Sequence, residues 1–544
     1  MKTYVLKLAL LFFGLSLIYC CEPGIVIPSN TPSDFAYELH LEELPYKNAP
    51  ALQSFVHGIS GEEWLLFAGR TNTKDSKKGE KYDGGLHNIG AKNYSNKSFP
   101  PVSFNDSIFV YNVSTDTRTA ISIDQMTAVL KKNFSSNYKA MKGFENVFRN
   151  SNSLVRQDKE FLYVVGGYGP ANFKATGNAA KNYVTYNHVA RIHVPSLIAI
   201  VNGNYDSANK ELLFSFGRDT TNTLVSTGGE LEKAGGSLYV VMGHCFGNNC
   251  TPTGIGQKYV DAAYPFSVSV DTLETIKNIH KLNISISNAI SDVSNPKGAG
   301  ADNMSAFRRR DGPITPAIYK SPVNDTIQEG IAIYSGVFKA GNDNNLQAWN
   351  DAIYIHPAFA NKENTVYTYD RAYNQKDFNV YAAPNFVMYD ADKEITHTFL
   401  LGGIGDGQPA ANGKLSGFTN TGMHIETKIV TDFKTNTVIT STNKLISQNI
   451  YLNNEKNDKP FYGAEAILFP NESLITIIVP AQGGKNGTLA RTTEILDMSK
   501  FDGSEIHIGH VFGGIKALES NPARYGPKKS RASNKIFKVT LKKK

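Results

Sequence analysis

Charge is scarce in this chain: Asp, Glu, Lys and Arg make up only 19% of 544 residues, and the formal net charge is +7. A nucleic-acid binder gathers far more positive charge on one face, so that class is set aside. Cysteine is rarer still. Of four, only Cys245 and Cys250 lie beyond the N-terminal segment. Without further Cys or His at ligand spacing they argue against zinc; outside the cytoplasm they predict a small disulfide loop. Beyond the first twenty or so residues no apolar run is long enough to span a bilayer. The recognisable catalytic phrases are missing too: no Gly-x-Ser-x-Gly, no His-Glu-x-x-His, no Gly-x-x-x-x-Gly-Lys-Ser/Thr. Gly402-Gly403-Ile404-Gly405-Asp406-Gly407 follows a strand but opens no helix, so these are turn glycines and not a nucleotide fingerprint. Asn342-Asp343-Asn344-Asn345 is oxygen-rich but lacks the spaced carboxylates of a calcium cage. No metal and no cofactor is predicted.

Aromatic residues are plentiful, with 27 Tyr and 30 Phe, a usage that suits pleated, half-buried strands better than helices. Lys2 and Lys7 precede an apolar stretch from Leu8 to Ile18, the plan of an export signal over residues 1–21. It ends Tyr19-Cys20-Cys21, similar to a bacterial lipoprotein box. Cys21, with the smaller Cys20 before it, is the better lipidation site, and Cys20 after bulky Tyr19 is the alternative; plain secretion is the competing outcome. Residues 22–34, rich in Pro, Ser and Thr, read as a tether. Residues 35–544 form one domain.

That domain repeats one phrase. Phe161 to Gly169 is an apolar strand stopping at a glycine pair, and versions of it recur at Trp64–Gly69, Leu238–Gly243, Ile331–Gly336, His397–Gly403 and His510–Gly514. Repeated buried strands ending in glycine predict an all-β propeller with six blades. Leu474 to Val479 would make a seventh phrase, but it lies too close to Phe512-Gly513-Gly514 for a separate blade and reads as a hairpin insertion; seven blades is the alternative. The half-buried strand Phe35 to Leu44 is expected to complete the last blade and leave no free edge. Short helices are expected over Asp124 to Phe134 and from Pro195.

Several phrases together resemble secreted kelch-type propeller proteins of Bacteroidota: Phe67-Ala68-Gly69-Arg70-Thr71-Asn72, Gly85-Leu86-His87, Arg309-Arg310-Asp311, Phe512-Gly513-Gly514-Ile515, and Ala532 to Val539. The resemblance runs from about Phe35 to Leu541. It implies a six-bladed kelch-like β-propeller and an exported location, and it carries over no catalytic residues. Three departures stand out. A second glycine is missing at Arg70, His244 and Val337; the outer-strand Trp is absent; and sialidase-type Asp boxes are absent.

Loops joining second to third strands gather on one propeller face with the segments leading into the innermost strands, and ligands meet that face or the channel mouth. The ligand candidates are therefore Arg70, Thr71, Asn72 and His87 in the first blade, with Arg308, Arg309, Arg310 and Asp311 leading into the fourth. An arginine cluster held by one aspartate would clamp a carboxylate or sulfate through its planar donors. The plainer reading is that Asp311 pairs with one arginine and plugs the channel. His87 and His424 read as solvated loop residues, and Asp106-Ser107-Ile108 matches an O-glycosylation triplet of exported proteins. The leading functional reading is a binding propeller on the cell envelope, anchored to the outer membrane by its lipid or secreted, recognising a glycan or an envelope protein without catalysis. A sugar- or uronate-active enzyme, by resemblance to mutarotase-like kelch propellers, and a structural envelope component are the alternatives. Oligomeric state is left open.

Overall fold

The computed structural model describes residues 35–544 except 75–80, 83–100, 177–181, 252–253, 271–279, 292–304, 321–326, 340–346, 350, 357–366, 371–381, 406–407, 410–414, 417–418, 421–424, 433–436, 446–459, 476–494 and 519–529. The signal, the tether, Cys20, Cys21, His87 and His424 lie outside the described residues. Tyr37–Lys544 is one compact unit.

Six antiparallel sheets make a six-bladed β-propeller. From the axis outward, blade 1 is Val56–Ser60, Glu63–Phe67, Ser107–Asn112 and Thr117–Ser122. Blade 2 is Ser151–Asp158, Phe161–Pro170, His188–His193 and Phe214–Arg218. Blade 3 is Glu230–Ala234, Ser237–Val241, Ala262–Val270 and Leu282–Ile286. Blade 4 is Ile314–Lys320, Ile327–Tyr334, Ala352–Ile355 and Tyr367–Asp370. Blade 5 is Asn385–Asp390, Ile395–Leu401, Ile425–Asp432 and Thr437–Leu445. Blade 6 takes Ile467–Pro470, Glu505–Phe512 and Ile536–Lys543 from the C-terminal end, and its outer strand, Tyr37–Glu43, from the other end. Leu39 and Leu41 face Leu541 and Val539 across this closure, and all four are buried. Pairing the two ends of the domain covers the outer edge of Ile536–Lys543 and closes the ring of blades.

The innermost strands of blades 1, 3 and 6 begin at Val56, Glu230 and Ile467. The residues just before them are largely buried, and the chain passes through a left-handed residue (Ser54, Gly228 or Glu465) before the sheet begins. The glycine pairs are also re-registered. Both turn positions have positive φ in every blade, and the second is always glycine: Gly69, Gly167, Gly243, Gly336, Gly403 and Gly514. The residue replaced in blades 1, 3 and 4 is therefore the first of the pair, by Ala68, Met242 and Ser335, and Arg70, His244 and Val337 lie beyond the turn.

Among the described residues there are three α-helices, two that follow strands and one that follows the first helix. Helix α1 (Ile123–Asn133) starts at a reciprocal capping box of Ser122 and Gln125, α2 is Ser135–Met141, and α3 (Val194–Val201) opens with Pro195 in its first turn. Their apolar faces join the core between blades 1 and 2. Among the described residues no helix is long and apolar enough to cross a membrane.

On the face where second strands end, each blade extends as a small hairpin. Examples are Thr73–Lys74 with Lys81–Tyr82, His244–Thr251 with Gly254–Tyr259, and Ile515–Ala517 with Ser530–Ala532. Cys245 and Cys250 form a disulfide within the blade 3 hairpin, their Cα atoms 5.5 Å apart. The expected insertion near Leu474 departs from a simple hairpin. Glu472–Leu474 is a single 3-10 turn, Ile475 bridges Leu496, and Ile495–Asp497 adds a parallel strand to the axial edge of blade 5.

Candidate binding cup

Six residues stand at equivalent places where the chain turns into the innermost strands: Ser54, Asn152, Gly228, Asp311, Ala382 and Glu465. All are left-handed, with φ between 51° and 65°. Their backbones join from blade to blade. Asn152 N donates to Ser54 O (3.1 Å), Asp311 N to Gly228 O (2.8 Å), Ala382 N to Asp311 O (2.7 Å) and Glu465 N to Ala382 O (2.7 Å). Between blades 2 and 3 the Asn152 carbonyl accepts from Thr227 Oγ1 at 3.0 Å. Amides that would otherwise be orphaned at the mouth of the channel are satisfied by one another, which fixes the rim.

Below this rim lies a cavity of about 230 Å³ lined by the innermost strands. It runs deep along blades 1 to 3, to Ile59, Gln157 and Glu232, but stops at Ile314 and Asn385 along blades 4 and 5. The strand Ile495–Asp497 accounts for this: Ile495 packs against Ile318, Val387 and Tyr389, farther down those two blades. The channel is a cup on that side.

The cup is acidic. Glu230, Glu232, Asp311 and Glu465 line it, with Arg156 and His57. Glu232 pairs with Arg156 at 3.3 Å, both nearly buried. Asp311 Oδ2 is 3.3 Å from Arg310 Nε, and Arg310 Nη1 is 3.0 Å from His244 Nε2. Burial raises the Asp311 carboxyl above the usual range against the pull of Arg310. Glu465 is likewise raised by burial, opposed by a hydrogen bond from Ser54 Oγ and by the Arg70 charge. Water in the cup reaches Glu230, yet protein surrounds it. That confinement, together with the charges of Glu232 and Asp311, pushes its carboxyl up to about 8. Gly228 leaves one gap in the ring of side chains, and Asp311 fills it: a Cβ at Gly228 would lie 2.7 Å from Asp311 Oδ1.

Of the residues singled out from sequence, only Asp311 lines the cup, with Arg310 paired behind it. Arg309 is a fully buried pillar. Its guanidinium donates to Ala306 O (2.5 Å), Ser335 O (2.8 Å) and Asp351 Oδ1 (2.7 Å), and it lies over the Trp349 ring at 4.5 Å. With every face occupied, it has no fork left for a ligand. Arg308 covers Tyr259 at 3.9 Å. Arg70 is buried, its backbone paired with Gln53. Asn72 bonds both backbone groups of Ala532, at 2.9 and 3.0 Å, and so ties the blade 1 loop to blade 6. Thus the arginine clamp does not form.

Sequence reasoning missed Glu230, Glu465 and Arg156. A signal existed: Ser54, Asn152 and Gly228 each precede the second turn glycine by 15 residues. In blades 4 to 6 longer loops break that spacing. No protein-family model matches the chain, and no curated protein matches it either.

Proposed function

We propose that the protein is a binding propeller that takes the end of a neutral or amino-substituted glycan into the acidic cup. The observation carrying this reading is convergence: carboxyls of Glu230, Asp311 and Glu465 reach one cup from blades 3, 4 and 6. Sugar hydroxyls and ammonium groups are donors, and carboxylates are the strongest acceptors a protein offers them. The cup's size suits a terminal residue and its fixed rim limits the ordering cost of binding. The resemblance to secreted propellers and the Cys20-Cys21 pair support display on the envelope, through a lipid on Cys21.

The proton-holding Glu230 beside ionisable Asp311 favours one second reading, acid–base catalysis on the same sugar end. A glycan-array screen of residues 35–544 is the test, with Asp311→Asn and Glu465→Gln as variants of the cup. Expected is binding to a defined terminal sugar, weakened by about tenfold or more in each variant, as for loss of one charged hydrogen bond. Binding unchanged in both variants would overturn the cup as the site. Conversion of a bound glycan by wild type, abolished in Glu230→Gln, would move the assignment to the enzymatic reading.

A further inference from the structure

The propeller treats two neighbouring wedges differently. Between blades 1 and 2 the space is packed by α1, α2 and α3, through Met126, Leu130, Leu197 and Ile200. Between blades 2 and 3 a cleft of about 1040 Å³ lies between α2 and the outer strands Phe214–Arg218 and Leu282–Ile286. Phe216 N donates to His280 O at 2.8 Å, which holds these two blades together at one end of the cleft.

The cleft has an apolar floor and a basic rim. Phe144 and Phe216 are stacked at 5.1 Å, and Ile284 lies beside them. Lys139 and Lys281 are exposed at the rim. Arg218 lies over the Phe144 ring at 4.6 Å and donates to Gly143 O at 2.6 Å, so its charge is fixed in place. Among the described residues lining the cleft the one acid is already engaged: Asp219 accepts from the amides of Thr221 (2.9 Å) and Leu224 (2.6 Å). Deeper, His280 is 6% exposed; Nδ1 bonds Phe214 O at 2.9 Å, while Nε2 has no hydrogen-bond partner among the described residues. The bonded Nδ1 carries the proton, which leaves Nε2 as a buried acceptor in a residue lining the cleft. Apolar volume, a basic rim and an unused acceptor together describe a small-molecule site.

We propose that this cleft binds an anionic molecule with a flat apolar body, seated against Phe144 and Phe216 with its acid between Lys139 and Lys281. It is independent of the cup and of whatever the cup takes.

Naphthoate and its uncharged isostere naphthamide are the probes, titrated calorimetrically into residues 35–544. Naphthoate is expected to bind saturably, one molecule per chain, and about tenfold more tightly than the amide, as one ion-pair-sized difference implies. In Lys139→Glu/Lys281→Glu that preference disappears while the melting temperature is unchanged, since both lysines are exposed. The imidazole NMR signal of His280, assigned through His280→Gln, shifts on naphthoate addition. No saturable binding, equal binding of acid and amide, an unchanged preference in the double variant, or an unmoved His280 signal each overturns the proposal.

Discussion

Two rings of left-handed residues encircle the channel mouth, alike in backbone and opposite in sequence. The inner ring holds Ser, Asn, Gly, Asp, Ala and Glu at Ser54, Asn152, Gly228, Asp311, Ala382 and Glu465. The outer ring, the second turn position of each blade, holds only glycine. Direction of the missing Cβ separates them. At Gly69 it would stand 2.5 Å from Gln53 O and 2.8 Å from Phe55 Cα; at Gly514, 2.4 Å from Ala464 O. At the inner ring the side chain points toward the cup or its rim. A positive φ costs a non-glycine residue about 1 kcal/mol, which the backbone hydrogen bonds between these residues can hold, whereas overlap with the backbone of the segment leading into the same blade has no relief. The scaffold is therefore invariant where the turn after each second strand meets the lead-in segment of its own blade, and chemistry is free to vary one residue layer inward.

The largest effect is expected where that contrast is attacked directly. Gly69→Ala forces a methyl into the segment leading into blade 1, and we expect a loss of about 4 kcal/mol or failure to fold. Ala382→Asn, at the inner ring with the same φ sign, is expected to change stability by no more than about 0.5 kcal/mol. Denaturant unfolding of the two variants measures the difference, and comparable losses would mean that backbone strain, not the adjoining lead-in segment, selects glycine.

The same boundary runs between two adjacent arginines. Arg309, behind the rings, holds three carbonyls and Asp351, while Arg310 meets the half-exposed Asp311. Arg309→Met is expected to cost about 3 kcal/mol, because it strands buried acceptors and a paired carboxylate. Arg310→Met is expected to cost about 1 kcal/mol and to act instead on ligand affinity at the cup. Thermal unfolding of both, with the glycan titration, tests the division; equal destabilisation would erase it.

How much of this was legible follows the same line. The outer ring is visible as strand-then-glycine phrases because all six turns take positive φ and close contacts at Gly69, Gly167, Gly243 and Gly514 add to that preference, and six such phrases set the blade number. The outer strands Phe214–Arg218 and Leu282–Ile286 lie outside the repeated phrase: one follows a long excursion through α3, and the other, although Leu282-Asn283-Ile284-Ser285-Ile286 alternates strictly, ends in no glycine. Of the two readings of the arginine run, the clamp needs its charges to face solvent, yet Trp349 and three carbonyls draw Arg309 inward, and Asp311 pairs with Arg310 as the plainer reading has it. Glu230 and Glu465 carried no local mark. Their meeting depends on loops of unequal length that return each blade to the axis, which no short motif records.

The smallest effect probes the cup's protonation. The Glu230 carboxyl is raised to about 8 in the folded chain, from an ordinary 4.5. Between those values the unfolded chain has released the proton that the folded chain keeps, so folding takes up a proton and stability falls as pH rises. The contribution is complete below the ordinary value and is lost as pH climbs through the folded one. Glu230→Gln cannot ionise, so its stability relative to wild type is expected to increase from pH 5 to pH 8 and then level off. Because Glu230 is open to cup water, the gain should be smaller than either effect above. Melting temperatures of the pair across this range decide it. A constant difference would mean that Glu230 ionises as freely as in water, which would remove the proton donor on which the catalytic reading of the cup depends.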